Sequence, residues 1–277
     1  MFGFFRKKGS LDNGDRSRAK EQPVPQSPWD RAADLMGRGQ TAEALEQFAR
    51  AAIQTRDASR MDMAERWLDD PALLERAGEA AVCRFVSVVT IAADGVEETR
   101  RGKILEQCLT ALGRIQVSKP RPDGSDRYTV ESNLLRRMGR PAEGLEAAKR
   151  GIAEHNSPSN YAFAAVCCLT LDDPEQAERY VRMGRKLEPT NLSTTNDLAD
   201  YFLEHHSCAD AARCYAEVVE ESEDSADLEW AELSLIYCRW LMTRDPMELE
   251  RLVLCAASYP GNPRGAQLCQ LARSALE

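Results

Sequence analysis

The sequence predicts an all-α fold, a right-handed α-solenoid of antiparallel helix pairs with a flexible N-terminal tail. Three observations point there. Apolar residues recur at helical spacing along most of the chain, with short polar punctuation between the runs. No stretch alternates at the strand period of two for long enough to build a sheet. From residue 128 onward the helical pattern itself repeats. Tyr128, Tyr161, Thr195 and Trp230 open successive copies spaced 33, 34 and 35 residues apart, and a period of that length marks an array of stacked helical units.

Composition narrows the class. The 277 residues are 43% hydrophobic, 29% charged and 6% aromatic, which suits an ordered chain rather than a disordered one. No apolar run nears the roughly 20 residues of a membrane-spanning helix. The formal net charge of -9 disfavours a general nucleic-acid binder, because phosphate contacts need an excess of bases. That charge is unevenly spread. Residues 1–28 carry six bases against three acids, and residues 100–150 twelve bases against six acids. Residues 192–232 carry twelve acids against the single base Arg213. Nine cysteines form an odd count without framework-like spacing. The start Met1-Phe2-Gly3-Phe4-Phe5-Arg6-Lys7-Lys8 places its charges after a very short apolar stretch, unlike a secretion signal. Together these predict a reducing, cytoplasmic location with free thiols.

The elements follow in order. Residues 1–28, with Gly9, Gly14, Pro23, Pro25 and Pro28, are too polar to bury surface that offsets ordering entropy, and form the tail. Within it Phe2, Phe4 and Phe5 beside Arg6, Lys7 and Lys8 offer a weak docking point for a membrane surface or a partner groove. Residues 29–116 read as N-terminal helical hairpins, divergent from the later repeats. Residues 29–37 form one helix, and Gly39-Gln40-Thr41 a turn with Thr41 as N-cap. Ala44, Leu45, Phe48, Ala51 and Ala52 mark the next helix, with Glu43 and Glu46 in its first turn, where negative charge suits the helix dipole. Residues 60–68 are a short helix. Asp70 as N-cap and Pro71 as first helical residue start another that runs to about Ala92. Asp94-Gly95 breaks it, and residues 96–115 are helical again with Ile104, Leu105, Cys108, Leu109 and Leu112 on one face. Residues 117–126 are the longest interior loop.

Residues 127–262 hold the repeats. Tyr128 is followed by Ser132, Leu135, a turn at Gly139-Arg140-Pro141, and Gly144. Tyr161 is followed by Ala164, Ala165, Cys168, a turn at Asp172-Asp173-Pro174, and Ala177. Thr195 is followed by Leu198, Ala199, Phe202, a turn at His206-Ser207, and Ala211. Trp230, Leu233, Ser234 and Tyr237 open a fourth copy. Small residues let neighbouring helices approach, and Tyr161, Phe202, Tyr215 and Trp230 fill the gaps between pairs. Residues 263–277, with Ala266, Leu268, Leu271, Ala272 and Leu276, cap the open end.

This pattern resembles the tetratricopeptide repeat family, whose unit is 34 residues long. Pro189 stands at that family's helix-ending proline and Tyr215 at its second-helix aromatic, and residues 36–51 look like the second half of a further unit. The resemblance implies a non-catalytic scaffold or adaptor that binds a peptide or helix of a partner protein along its first helices. The family's carboxylate clamp is matched only at Asn133. Its neighbouring positions hold Thr129, Ser159, Ala162, Phe163, Asn196 and Asp197, so the basic residues are missing. The same register instead places Asn133, Arg136 and Arg137 at one end of a groove. Phe163, Val166 and Leu169 stand in its apolar middle, and Asn196, Asp200, Glu204 and Glu232 at its acidic end. A partner with a basic or amphipathic segment fits that polarity.

Enzyme chemistry has little to stand on. No Gly-rich phosphate loop and no Gly-x-Ser-x-Gly elbow occurs, and no cofactor is implied. The alternative reading is a metal-binding or enzyme-accessory subunit using His205, His206, Cys208 and Cys214, although zinc sites normally pair their ligands more regularly. Cys83, Cys108, Cys168, Cys238, Cys255 and Cys269 lie on apolar helical faces and read as packing residues. His155 precedes a helix end at Asn156-Ser157-Pro158, where a histidine complements the dipole.

Overall fold

The computed structural model describes residues 27–55, 60–115 and 126–276. The Phe2/Phe4/Phe5 docking point, the rest of the tail up to residue 26, and most of the 117–126 loop lie outside the described residues.

Local sequence sets most helix boundaries. Among the described residues, α1 (Pro28–Gly37), α4 (Pro71–Ala77), α8 (Pro141–His155), α9 (Pro158–Thr170), α10 (Pro174–Leu187), α14 (Pro246–Ser258) and α15 (Pro263–Ser274) all open on proline. Proline's fixed φ and missing N–H suit the first helical position. The preceding Ser27, Asp70, Ser157, Asp173, Asp245 and Asn262 accept a backbone N–H of the first turn. α7 (Arg127–Arg137) starts with a full capping box between Asp126 and Thr129. The remaining helices are α2 (Thr41–Thr55), α3 (Met61–Leu68), α5 (Glu79–Ala92), α6 (Glu98–Arg114), α11 (Ser193–Glu204), α12 (Cys208–Glu221) and α13 (Ser225–Thr243).

Two expectations are corrected. Thr41 is not an N-cap: it is the first helical residue and is buried, while the Gln40 carbonyl accepts the first helical N–H. The helix expected from Pro71 to Ala92 is two helices. Gly78 sits at φ 79, ψ 161 between them, a conformation that a residue with a Cβ rarely adopts.

The repeat is written into the turns. Gly39, Gly139, Asp172 and His206 each adopt a left-handed conformation. In all four, that residue's N–H reaches the carbonyl three positions back, and the next N–H reaches the carbonyl five back: Gly39 to Met36 with Gln40 to Leu35, Gly139 to Arg136 with Arg140 to Leu135, Asp172 to Leu169 with Asp173 to Cys168, His206 to Leu203 with Ser207 to Phe202. This pair of hydrogen bonds closes the first helix of each pair with a Schellman motif. The α1–α2 pair therefore shares its turn with α7–α8, α9–α10 and α11–α12. The first helices α7, α9, α11 and α13 lie side by side in sequence order, and α8, α10 and α12 each bridge to the next first helix. This is an all-α solenoid. α5 and α6 also stack onto α7, and the short α3 and α4 wedge against α5 and α6.

Three apolar clusters run along the array. The first joins α1 to α7 around Trp29, Phe48, Trp67 and Phe85, whose rings meet at centroid distances of 5.1–6.0 Å. The second spans α9 to α13 and the third α13 to α15. Between the first and second lies a buried polar seam. Asn160 donates to the Asp126 carboxylate and to the Ser157 hydroxyl, each at 2.9 Å, and Ser132 meets Cys167 Sγ at 3.4 Å. Helix α8 approaches this seam through Gly144 and Gly151, at both of which a Cβ would collide with a neighbour.

Candidate functional site

The candidate site is an open cleft between the C-terminal halves of α9 and α11, about 450 Å³ in volume. Helical spacing builds its two walls. On α9, Phe163, Val166 and Leu169 recur every three residues, half-buried, and Val166 and Leu169 line the cleft. On α11, Asp197, Asp200, Tyr201 and Glu204 fall on one stripe, the spacing that puts side chains on one helix face. Thr170, Asp172 and His205 close the lower end. Four residues expected from the sequence, Val166, Leu169, Asp200 and Glu204, thus meet in one place.

The acids differ in what engages them. Asp200 is a hub: it accepts the Trp230 indole N–H at 3.1 Å, the Tyr215 hydroxyl, and Arg264 Nη2 at 2.6 Å. Burial and the Asp200 charge push the Tyr215 hydroxyl far up. Asp197 and Glu204 make no hydrogen bond or ion pair among the described residues and are exposed. Desolvation beside the α9 wall of the cleft, reinforced by Asp200 and Asp227 and opposed by Arg136, raises the Asp197 carboxyl to about 6. Asp172 accepts the Tyr201 hydroxyl, which with partial burial lifts that phenol to about 12. His205 stacks on the Tyr201 ring at 4.0 Å, with Nε2 3.8 Å from Asp172.

The other expected residues are held elsewhere. Arg136 donates to Asn133 Oδ1 at 3.0 Å, with its Nε buried and unpaired. Burial and the adjacent Arg137 pull its guanidinium down from its usual range. Arg137 pairs with Asp94, which Arg101 also contacts, in an ion cluster between α6 and α7. Asn196 is buried and donates to the Asp227 carbonyl at 3.2 Å, tying α11 to α13. Glu232 leaves the groove: it accepts the Tyr259 hydroxyl at 2.6 Å at the joint of α13 and α14.

The metal reading does not assemble. His206 occupies the left-handed turn position, Cys214 is buried within α12, and His205 turns back onto Tyr201. Among the described residues no three metal-ligating side chains converge. Six of the nine cysteines are buried, and burial raises Cys108 and Cys238 to about 12 and Cys168 and Cys214 to about 11.

Sequence reasoning missed Arg264, which has no local signal because its partner lies 64 positions away. Asp197 and Tyr201 were findable: they share the i, i+3, i+4, i+7 spacing of Asp200 and Glu204. Chemically, an apolar strip flanked by unpaired carboxylates holds a side chain with an apolar stem and a cationic head.

No family model and no curated protein matches the chain. Among solved structures, the Pseudomonas aeruginosa pilF protein is similar at 14% identity and a TM-score of 0.48, over 86% of this chain and 99% of that one. A tetratricopeptide repeat protein from Parabacteroides merdae is similar at 14% identity and a TM-score of 0.42, over 88% of this chain and 96% of the other. The helix-pair repeat rests on the chain's own turns and spacing.

Proposed function

We propose that this protein is a non-catalytic interaction scaffold that binds a basic, amphipathic segment of another protein in the α9–α11 cleft. One observation carries the reading: Val166 and Leu169 form an apolar strip beside the unpaired carboxylates Asp197 and Glu204. An apolar partner side chain is desolvated on the strip while its neighbouring Lys or Arg meets the acids. The acid-rich segment 192–232 raises the encounter rate of such a partner more than it tightens the complex.

The test is site-specific photo-crosslinking in the native cell. p-Benzoylphenylalanine replaces Thr170 in the cleft or Arg182 on α10. The Thr170 position is expected to capture a segment in which bases alternate with apolar residues, and Leu169→Glu should remove that product. Equal capture at both positions, or captured segments without bases, would sink the reading.

A further inference from the structure

The cleft has a candidate occupant within the same chain. Residues 2–8 place Phe2, Phe4 and Phe5 immediately before Arg6, Lys7 and Lys8, the combination of apolar and cationic side chains that the α9–α11 cleft complements. We propose that this N-terminal segment docks in the cleft of its own molecule and competes there with the partner segment, so that the scaffold is self-occluded until a partner displaces it. The inference rests on the reading of the cleft as a site for basic, amphipathic segments.

Charge supports it, and the length of the intervening chain permits it. Asp197 and Glu204 are exposed and unpaired among the described residues, and Asp172, which accepts the Tyr201 hydroxyl, keeps its side chain 80% exposed; the sequence Arg6-Lys7-Lys8 supplies cations for the two unpaired carboxylates. Residues 9–26 separate the segment from Ser27, the N-cap of α1, and a chain of that length spans up to about 60 Å when fully extended. Neighbouring helices pack about 8–10 Å apart, so the five steps α1–α2–α5–α7–α9–α11 cover roughly 45 Å. A second apolar groove is nearer, between α2 and α5, where Ile53 and Ile91 are more than half exposed. No carboxylate lines it, so it would take the phenylalanines and leave Arg6, Lys7 and Lys8 unpaired. Complementarity therefore favours the α9–α11 cleft.

The experiment uses the full chain at low concentration with p-benzoylphenylalanine in place of Phe4, irradiated and mapped by mass spectrometry. The expected product is intramolecular, joining residue 4 to residues 163–172 or 197–205. Asp197→Lys with Glu204→Lys should cut its yield at least fivefold. Adding Arg6→Glu, Lys7→Glu and Lys8→Glu to that variant should restore it to within twofold of wild type, a rescue that misfolding cannot mimic. Cross-links to α2 and α5 near Ile53 and Ile91 would overturn the proposal. So would links between molecules whose yield rises with concentration, the absence of any protein link, or a yield indifferent to the charge reversals. The partner reading is scored separately at Thr170: partner capture there without an intramolecular Phe4 link removes this inference alone, and a Phe4 link without partner capture removes the scaffold reading alone.

Discussion

Arg264 of α15 reaches across the array to Asp200 of α11, closing an ion pair at 2.6 Å between residues 64 positions apart. The guanidinium is largely buried. It also donates to the Ser234 hydroxyl at 3.0 Å and lies 4.6 Å over the Trp230 ring. One residue of the last helix thereby joins α11, α12 and α13. Removing one partner of such a pair strands the other charge. Because Asp200 keeps some solvent contact, Arg264→Met is expected to cost about 2–3 kcal/mol, against about 0.5 kcal/mol or less for Glu204→Gln, an exposed unpaired acid. Urea unfolding of the two variants, with Asp200→Asn completing a double-mutant cycle, measures the coupling. A coupling near zero would show that the pair is incidental. It also follows that Asp200→Lys perturbs stability as well as binding, so Asp197 and Glu204 are the cleaner probes of the cleft.

Glycine substitutions should divide by position. At Gly144 a Cβ would lie 2.8 Å from the Ser132 carbonyl oxygen, and at Gly151 it would lie within van der Waals overlap of the Asn160 amide. Gly144→Ala and Gly151→Ala are expected to lose about 1–3 kcal/mol, since overpacking outweighs the helix-propensity gain. Gly102 in α6 has nothing within 4 Å of the same point, so Gly102→Ala should gain about 0.4–1 kcal/mol. Thermal melts of the three proteins decide it; the same sign at all three would contradict the close approach of α8 to the polar seam.

The Asp197 carboxyl, raised to about 6, is expected to give the cleft a pH dependence. In the unfolded chain it titrates near 4. Between those values the folded state holds the extra proton, so this group's contribution favours folding at low pH and is lost as pH rises through 6. The exposure of the side chain keeps the stability effect small. On the proposed function, binding runs the other way: a basic segment pairs with the carboxylate, so its affinity should fall between pH 7 and pH 5.5. Asp197→Asn should weaken binding at pH 7 and flatten that slope. A titration by fluorescence anisotropy with a Lys/Leu-patterned peptide reads both, and an unchanged slope in Asp197→Asn would assign the pH response to another group.

Thiol chemistry should follow burial. Cys208, Cys255 and Cys269 are half-buried, whereas the other six are buried and burial raises Cys108, Cys168, Cys214 and Cys238 to 11 or above. Iodoacetamide at pH 7.5 should therefore modify Cys208, Cys255 and Cys269 first in the native protein and all nine only after denaturation. Early modification of Cys214 would place it outside the α12 core.

Replacing Ala177 or Ala211 tests the repeat register directly. Both are fully buried where second helices meet their neighbours, and enlargement to Leu should cost about 1–3 kcal/mol at each. Wild-type melting in both would mean that the helices do not approach there.

Helix identity, turn positions and small contact residues were legible because they are local. A 3.6-residue stripe such as Ile104, Leu105, Cys108 and Leu112, or a stop-and-start such as Asp172-Asp173-Pro174, encodes itself within a few residues. So did the strip Val166–Leu169 and the acids Asp200 and Glu204, since the repeat register assigns them to first helices. What followed from stacking was not legible. Gly78 splits a run that periodicity alone continues, because a positive φ leaves no mark in an apolar pattern. Glu232 and Asn196 are drawn into joints by Tyr259 and Asp227, and Arg264 neutralises Asp200, an acid that the register assigns to the groove. Spacing along a helix tells which face a side chain occupies. Which charge it meets there depends on the helices that stack against that face, and only the tertiary structure decides that.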